Sequence, residues 1–201
     1  MAANYHCTMS NYEQTSLFSV AGDRLVETTL SSEHLYQGKI LNLRRDTVRL
    51  ANDRQASREV VEHVDSAAAV PLLEDGRVVM VEQWRYPVGR GLLEIPAGIL
   101  EAGEEPAEAM GRELTEETGY DAGRLELLLS VYLAPGYSQE LIHIFLAQDL
   151  QPAHAAPDDD EIIRIKRIPF VDAVAACLRG ELTDAKTVVG LLAVAARRQS
   201  G

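Results

Sequence analysis

Residues 98–120 read "GILEAGEEPAEAMGRELTEETGY" and carry seven glutamates against one basic residue, Arg112. Pro106 suits the first turn of a helix and Gly119 a C-terminal stop, so the pattern predicts a helix over 106–118. Glu104, Glu105 and Glu108 stand at its start, where the positive end of the helix dipole favours carboxylates. Glu113, Glu116 and Glu117 are spaced i, i+3, i+4 near the negative end, where they repel one another and the dipole. A positive partner is expected beside them. Arg112 lies four residues before Glu116 and holds one carboxylate in place, but one guanidinium does not neutralise three acids. Hard divalent cations do, since Mg²⁺ takes carboxylate oxygens and keeps waters and substrate phosphates as its other ligands. At about 100° per residue, Ala107, Met110 and Leu114 form the predicted buried stripe, which places the three acids along its border, at the floor of a cleft.

Composition narrows what such a cleft serves. The 201 residues, 46% of them hydrophobic, suffice for one large domain or a main domain with a smaller appendage. Nineteen basic against 31 acidic residues give a net charge of −12, which disfavours nucleic acid and anionic membrane surfaces as partners. An anionic substrate would need metal ions as intermediaries. Cys7 and Cys177 lie far apart without CxxC spacing, so neither a disulfide framework nor a zinc site is indicated, and a reducing cytoplasm is expected. The N-terminal stretch lacks a basic leader followed by an apolar run, and no run approaches the roughly 18 residues of a membrane span.

Outward from the acidic helix, the chain divides into three parts. Residues 1–20 are polar and aperiodic and are expected to form a loosely held arm. Over 21–65, RLVETTLSS, KILNLRRDTVRL and REVVEHV alternate polar with apolar residues, which predicts a small β-rich unit. The main domain is expected over 66–201. It opens with SAAAVPLL and RVVMVEQW, joined through Asp75-Gly76, a hairpin signal. LELLLSVYLA, LIHIFLA and EIIRIKRI follow as strand candidates, and FVDAVAACLRG and DAKTVVGLLAVAARR have helical spacing. The resulting order, β, β, helix, β, β, β, helix, helix, predicts a mixed sheet with helices packed against it. PAHAAPDDD, residues 152–160, is the clearest loop and a candidate edge of an active site.

An acidic triplet on a helix is ordinarily a solvated face, so the weight falls on the full spacing. Gly98, five residues, Glu104, seven residues, then Arg112-Glu113-Leu114-Thr115-Glu116-Glu117-Thr118-Gly119-Tyr120 resembles the Nudix box of the Nudix hydrolases. Tyr120 is the one departure, standing where the family usually has an aliphatic residue. The resemblance implies an α/β/α sandwich that hydrolyses a nucleoside diphosphate linked to another moiety with Mg²⁺ or Mn²⁺. It implies Glu113, Glu116, Glu117 and the backbone carbonyl of Ala97 as metal ligands, Arg112 as the group orienting the acids, and Glu104 as a brace between loop and helix. VEQWRYPVGRGLLEIPAGILE, YLAPGYSQE, TVRLANDRQASREVVEH and LTDAKTVVGLL, with Pro135 standing 16 residues past Gly119, resemble the ADP-ribose pyrophosphatase branch. That branch commonly forms homodimers.

Outside the box, Arg85 offers a fork of donors to a phosphate, and Trp84 and Tyr86 offer ring faces to a base. Pro135, Ser138 and Glu140 lie on a turn that the resemblance implies in the substrate pocket. The resemblance to the ADP-ribose branch implies a general base on the loop Asp158-Asp159-Asp160-Glu161, with Glu161 first and Asp160 or Glu140 as substitutes. His143, within an apolar strand, reads as a hydrogen-bonded structural histidine. The expected reaction is hydrolysis of ADP-ribose to AMP and ribose 5-phosphate. GDP-mannose, NADH or another sugar nucleotide are alternative substrates, and a non-catalytic binding module is the alternative of another class.

Overall fold

The computed structural model describes residues 25–153 and 162–200. The expected N-terminal arm, Cys7 and the loop acids Asp158, Asp159, Asp160 and Glu161 lie outside the described residues.

The described residues begin with an antiparallel meander, β1 (Thr28–Gln37), β2 (Leu41–Arg49) and β3 (Gln55–His63), in the order β1-β2-β3. β1 is exposed along its whole length, so this sheet is held by its ladder and by ion pairs more than by a core. Arg44 on β2 binds Asp46 on its own face and Glu62 across on β3, and Arg45 reaches Glu33 on β1 at 2.6 Å.

The next sheet has β4 (Ser66–Pro71) at its centre, every residue buried. β4 runs parallel to β9 (Leu141–Pro152) and antiparallel to β7 (Ala97–Ile99), and β8 (Tyr120–Tyr132) closes the far edge against β9. A third sheet places β5 (Arg77–Arg85) between β10 (Ile163–Pro169) and β6 (Arg90–Glu94).

Helices cover both faces. Successive residues of a strand point to opposite sides. Ala67 and Ala69 of β4 pack with Ala109, Met110 and Leu114 of α1 (Pro106–Thr118), whereas Ala68 and Val70 enter the larger core with α2 (Phe170–Leu178) and α3 (Ala185–Ser200). Met110 and Leu114 are fully buried, which contributes about 1.5–3 kcal/mol each. This is the α/β/α sandwich with a mixed sheet that the sequence predicts.

Three expectations differ from the structure. Asp75-Gly76 does form a turn, with Gly76 N–H donating to Leu73 O and Leu73 N–H to Arg77 O, but beyond the adjacent bridge Leu72–Val78 the strands β4 and β5 enter different sheets. Both edges of β4 are already occupied by β7 and β9, leaving no edge for a hairpin partner. β6 and β7 were not expected; they are five and three residues long, β6 forming a hairpin with β5 across the Tyr86–Val88 turn and β7 pairing with the more distant β4. On α1 Ala107 and Glu108 are exposed, and the buried side comprises Ala109, Met110, Leu114, Glu117 and Thr118. Glu117 therefore faces the core itself and not its border.

Candidate active site

α1 ends where the sequence predicts, because Gly119 adopts the left-handed conformation at φ 69° and its N–H caps Thr115 O at 2.9 Å. At the other end Pro106 starts the helix, and Glu105 precedes it without a side-chain cap. The loop leading in is braced by Glu104, which accepts from Glu101 N at 2.8 Å and from Arg112 Nε at 3.1 Å and Nη2 at 3.2 Å.

Arg112 reaches further than its spacing to Glu116 suggests. Its Nη1 donates to Glu113 at 2.7 Å and to Glu116 at 3.1 Å, so one guanidinium touches three carboxylates. Those contacts, with Glu104 foremost and Glu113 next, raise its pKa well above the ordinary arginine value despite the opposing effect of burial. Hydrogen bonding from Arg112 and from the Glu101 amide holds the Glu104 carboxyl below the usual range.

The strand β7 approaches this helix face edge-on. Glu117, nearly buried, accepts from Ala97 N at 2.9 Å. Gly98 lies under Glu113 so closely that a Cβ there would stand 1.9 Å from the Glu113 carboxyl carbon. The structure thus brings Ala97, Glu113, Glu116, Glu117 and Arg112 together. Among the described residues no group of His, Cys, Asp or Glu is already converged as a metal-ligand set. Glu113 and Glu116 turn to Arg112, and Glu117 to the Ala97 amide. The donors themselves, carboxylate oxygens beside a backbone strand, are those a hard divalent cation takes.

Arg85, at the end of β5, gives Nε and Nη2 to the two oxygens of Glu94, both at 2.7 Å. Glu94 is 1% exposed and also binds Lys186, which in turn contacts Asp184 at 3.1 Å. Burial alone would raise the Glu94 carboxyl, but Arg85 and Lys186 outweigh it and hold the group below the usual range. Trp84 and Tyr86 are 62% and 87% exposed, and a 3-10 turn over Tyr86–Val88 carries the chain into β6. Their rings face solvent and not the core.

The turn after β8 docks on the N-terminal sheet. Val61 N–H donates to Tyr137 O at 2.7 Å, and Ser138 bridges Val61. Glu140 accepts from Ser66 Oγ at 2.8 Å and stands 3.9 Å from His63 Nδ1. Pro135, Ser138 and Glu140 are therefore presented where the first and second sheets meet, away from α1 in sequence. His143 contacts Ser130 Oγ through Nδ1 at 2.8 Å, and burial pushes its pKa down against the pull of Asp65, as suits a neutral structural histidine. Tyr120 accepts from Arg167 Nε at 3.1 Å and lies under that guanidinium, which gives the departing box position a polar partner on β10.

No sequence expectation covers Glu94, Lys186 or Thr187. One signal was available: Lys186 sits in the first turn of α3, where the helix dipole disfavours a cation, and this points to a nearby anion.

Comparison with known proteins places this geometry. A model of the Nudix domain matches residues 62–189, and one described as the nucleoside diphosphate sugar hydrolase N-terminal domain matches residues 27–61. An ADP-ribose pyrophosphatase of Bacillus subtilis is 37% identical over 83% of this chain and 91% of its own length. One from Mycobacterium tuberculosis is 39% identical over 83% and 82%. The fold is shared with a crystal structure of an ADP compounds hydrolase, at a TM-score of 0.78 and 22% identity over 89% of this chain and 98% of that one. With the box geometry, two sequence relatives and a domain match spanning most of the chain in agreement, this protein belongs to the Nudix family.

Proposed function

We propose that this chain hydrolyses the pyrophosphate bond of ADP-ribose to AMP and ribose 5-phosphate, using Mg²⁺ or, in its place, Mn²⁺. The observation that carries the reading is the meeting of Glu113, Glu116 and Glu117 with Ala97 and Arg112 in a chain similar over most of its length to two ADP-ribose pyrophosphatases. Glu113, Glu116, Glu117 and the Ala97 carbonyl would hold the cation. When bound, it supplies charge neutralisation for the diphosphate and lowers the pKa of water.

The chain's own residues do the rest. Arg112 keeps Glu113 and Glu116 oriented and Glu104 anchored, so the acids are held before substrate arrives. Glu161 takes the proton of the attacking water, with Asp160 or Glu140 as the substitute. Arg85, whose side chain is 39% exposed, gives Nε and Nη2 to Glu94 and presents Nη1 to a phosphate. Trp84 and Tyr86 offer exposed rings to the base, and Pro135, Ser138 and Glu140 line the substrate pocket. A homodimer working in the cytoplasm completes the reading, its exposed first sheet being the element offered to a second copy.

Incubation of ADP-ribose with Mg²⁺ in ¹⁸O-labelled water tests it. Production of AMP and ribose 5-phosphate, one of them labelled, is expected. Hydrolysis of GDP-mannose or NADH in preference to ADP-ribose would overturn the substrate, and no metal-dependent hydrolysis of any of the three would favour a binding module.

A further inference from the structure

Four consecutive residues ahead of Gly98 are each tied by side chain or backbone to other parts of the molecule. Glu94 binds Arg85 and Lys186 through its side chain. Ile95 N donates to Thr187 Oγ1 at 2.9 Å. Pro96 O accepts from Ala69 N at 3.1 Å, and Ala97 N donates to Glu117 at 2.9 Å. Two of these ties, those of Glu94 and Ile95, come from the first turn of α3, 92 residues away in sequence.

That turn is built for the purpose. Asp184 caps α3 by accepting from Thr187 N at 3.0 Å and from Thr187 Oγ1 at 2.5 Å, and it also contacts Lys186. Thr187 is fully buried, so its hydroxyl is aimed both ways, donating to Asp184 and accepting from Ile95. Lys186, also buried, is a cation at the positive end of a helix dipole, an unfavourable place unless an anion holds it there. A buried ion pair is weak evidence of stabilisation, since an apolar pair of similar volume serves a core as well.

We propose that Lys186 and Thr187 are positioning residues: through Glu94 and Ile95 they fix the segment that presents the Ala97 carbonyl to the cation and the Arg85 guanidinium to substrate. The inference rests on the proposed function for the metal and phosphate assignments, and on the hydrogen bonds of residues 94–97 for the rest. Supporting groups of this kind behind metal ligands typically change metal affinity about 10–100-fold when removed.

Mn²⁺ binding followed by electron paramagnetic resonance without substrate tests it, alongside kcat and KM for ADP-ribose. The chains compared are wild type, Lys186→Met, Lys186→Arg, Thr187→Val, Thr187→Ser and Val194→Ala, the last a buried apolar residue about two turns further along α3. Lys186→Met and Thr187→Val are expected to weaken Mn²⁺ binding about tenfold and to lower kcat. Lys186→Arg and Thr187→Ser should restore most of both, and Val194→Ala should lower the unfolding midpoint while leaving Mn²⁺ affinity unchanged. Wild-type Mn²⁺ affinity in the folded Thr187→Val chain, or an equal loss in Val194→Ala, would overturn the proposal. If Lys186→Met does not fold, the Thr187→Val and Thr187→Ser pair decides alone. Failure of ADP-ribose hydrolysis with intact Mn²⁺ binding would overturn only the substrate, and absence of Mn²⁺ binding by wild type would overturn both readings.

Discussion

Two ion clusters flank the Ala97–Gly98 strand, and they are built on opposite principles. On the helix side Arg112 alone faces Glu104, Glu113 and Glu116, with Glu117 beyond, so carboxylates exceed cations. On the α3 side Arg85 and Lys186 face Glu94 and Asp184, and the charges balance. The first cluster is partly open to solvent; the second centres on a carboxylate that is 1% exposed. An excess of one charge is tolerable only where water or an added ion completes it, whereas a buried set must complete itself. The difference separates a cluster suited to receiving cations from one suited to holding backbone.

The largest effect expected from this contrast is on turnover, in the unbalanced cluster. Glu116→Gln keeps the size of the side chain and removes a charge from a position that does not pack into the core. A divalent cation supplies several kcal/mol of transition-state stabilisation, so turnover should fall about 10³-fold with the unfolding midpoint unchanged. Steady-state hydrolysis of ADP-ribose beside a thermal melt measures both. Turnover within a few-fold of wild type would remove Glu116 from the proposed site.

Gly98→Ala probes the same cluster from the strand side. The added Cβ collides with the far end of the Glu113 side chain, which can move, and not with backbone. The fold should therefore survive while the Glu113 carboxylate is displaced, and a misplacement of about 1 Å costs turnover on the order of 10²-fold. Wild-type activity in a folded Gly98→Ala chain would show that the position of Glu113 is immaterial to the reaction.

The two clusters also differ in how far the sequence discloses them. The helix cluster lies within residues 98–120, where period 3.6 and the Pro106 and Gly119 punctuation locate each side chain without knowledge of the rest of the fold. Even there the phase was imperfect: Ala107 proved exposed and Glu117 core-facing, because the sheet beneath α1 and not the helix alone decides which side is buried. The α3 cluster joins Glu94 to Lys186 across 92 residues, and no local period encodes that pairing. β7 was illegible for the same reason, as was the splaying of β4 and β5 into separate sheets after a good turn signal, whereas β6, which pairs with the adjacent β5, is too short to show a period. The strands and helices with long periodic patterns were legible. The short elements that position the site were not.

In the balanced cluster the expected effect is on stability. Glu94→Gln leaves Arg85 and Lys186 facing each other without their shared counter-charge, and breaking a buried pair in this way costs about 3–5 kcal/mol. Because the outer part of Arg85 reaches solvent, the lower end of that range applies. For a chain of this size about 3 kcal/mol corresponds to a fall of roughly 6–12 °C in unfolding midpoint. An unchanged midpoint would mean that the cluster does not bear on folding.

The smallest effect concerns acid, and it tests the same carboxylate without deleting it. Glu94 has a depressed pKa in the folded chain relative to the usual glutamate value of 4.5. A group of that kind adds stability that is fully present above its unfolded value and is lost as pH falls through the lower, folded one. Midpoints for wild type should thus hold level down to about pH 4.5 and decline below it, since the unfolded chain then binds a proton that the folded chain refuses. Glu104, also depressed, contributes to the same limb from the exposed cluster, but solvent screening makes its share the smaller one. Subtracting the Glu94→Gln curve from that of wild type isolates the buried carboxylate: the difference should be largest above pH 4.5 and shrink below it. A difference that stayed constant with pH would show that Glu94 binds its proton equally in both states, and the balanced cluster would then have no electrostatic basis.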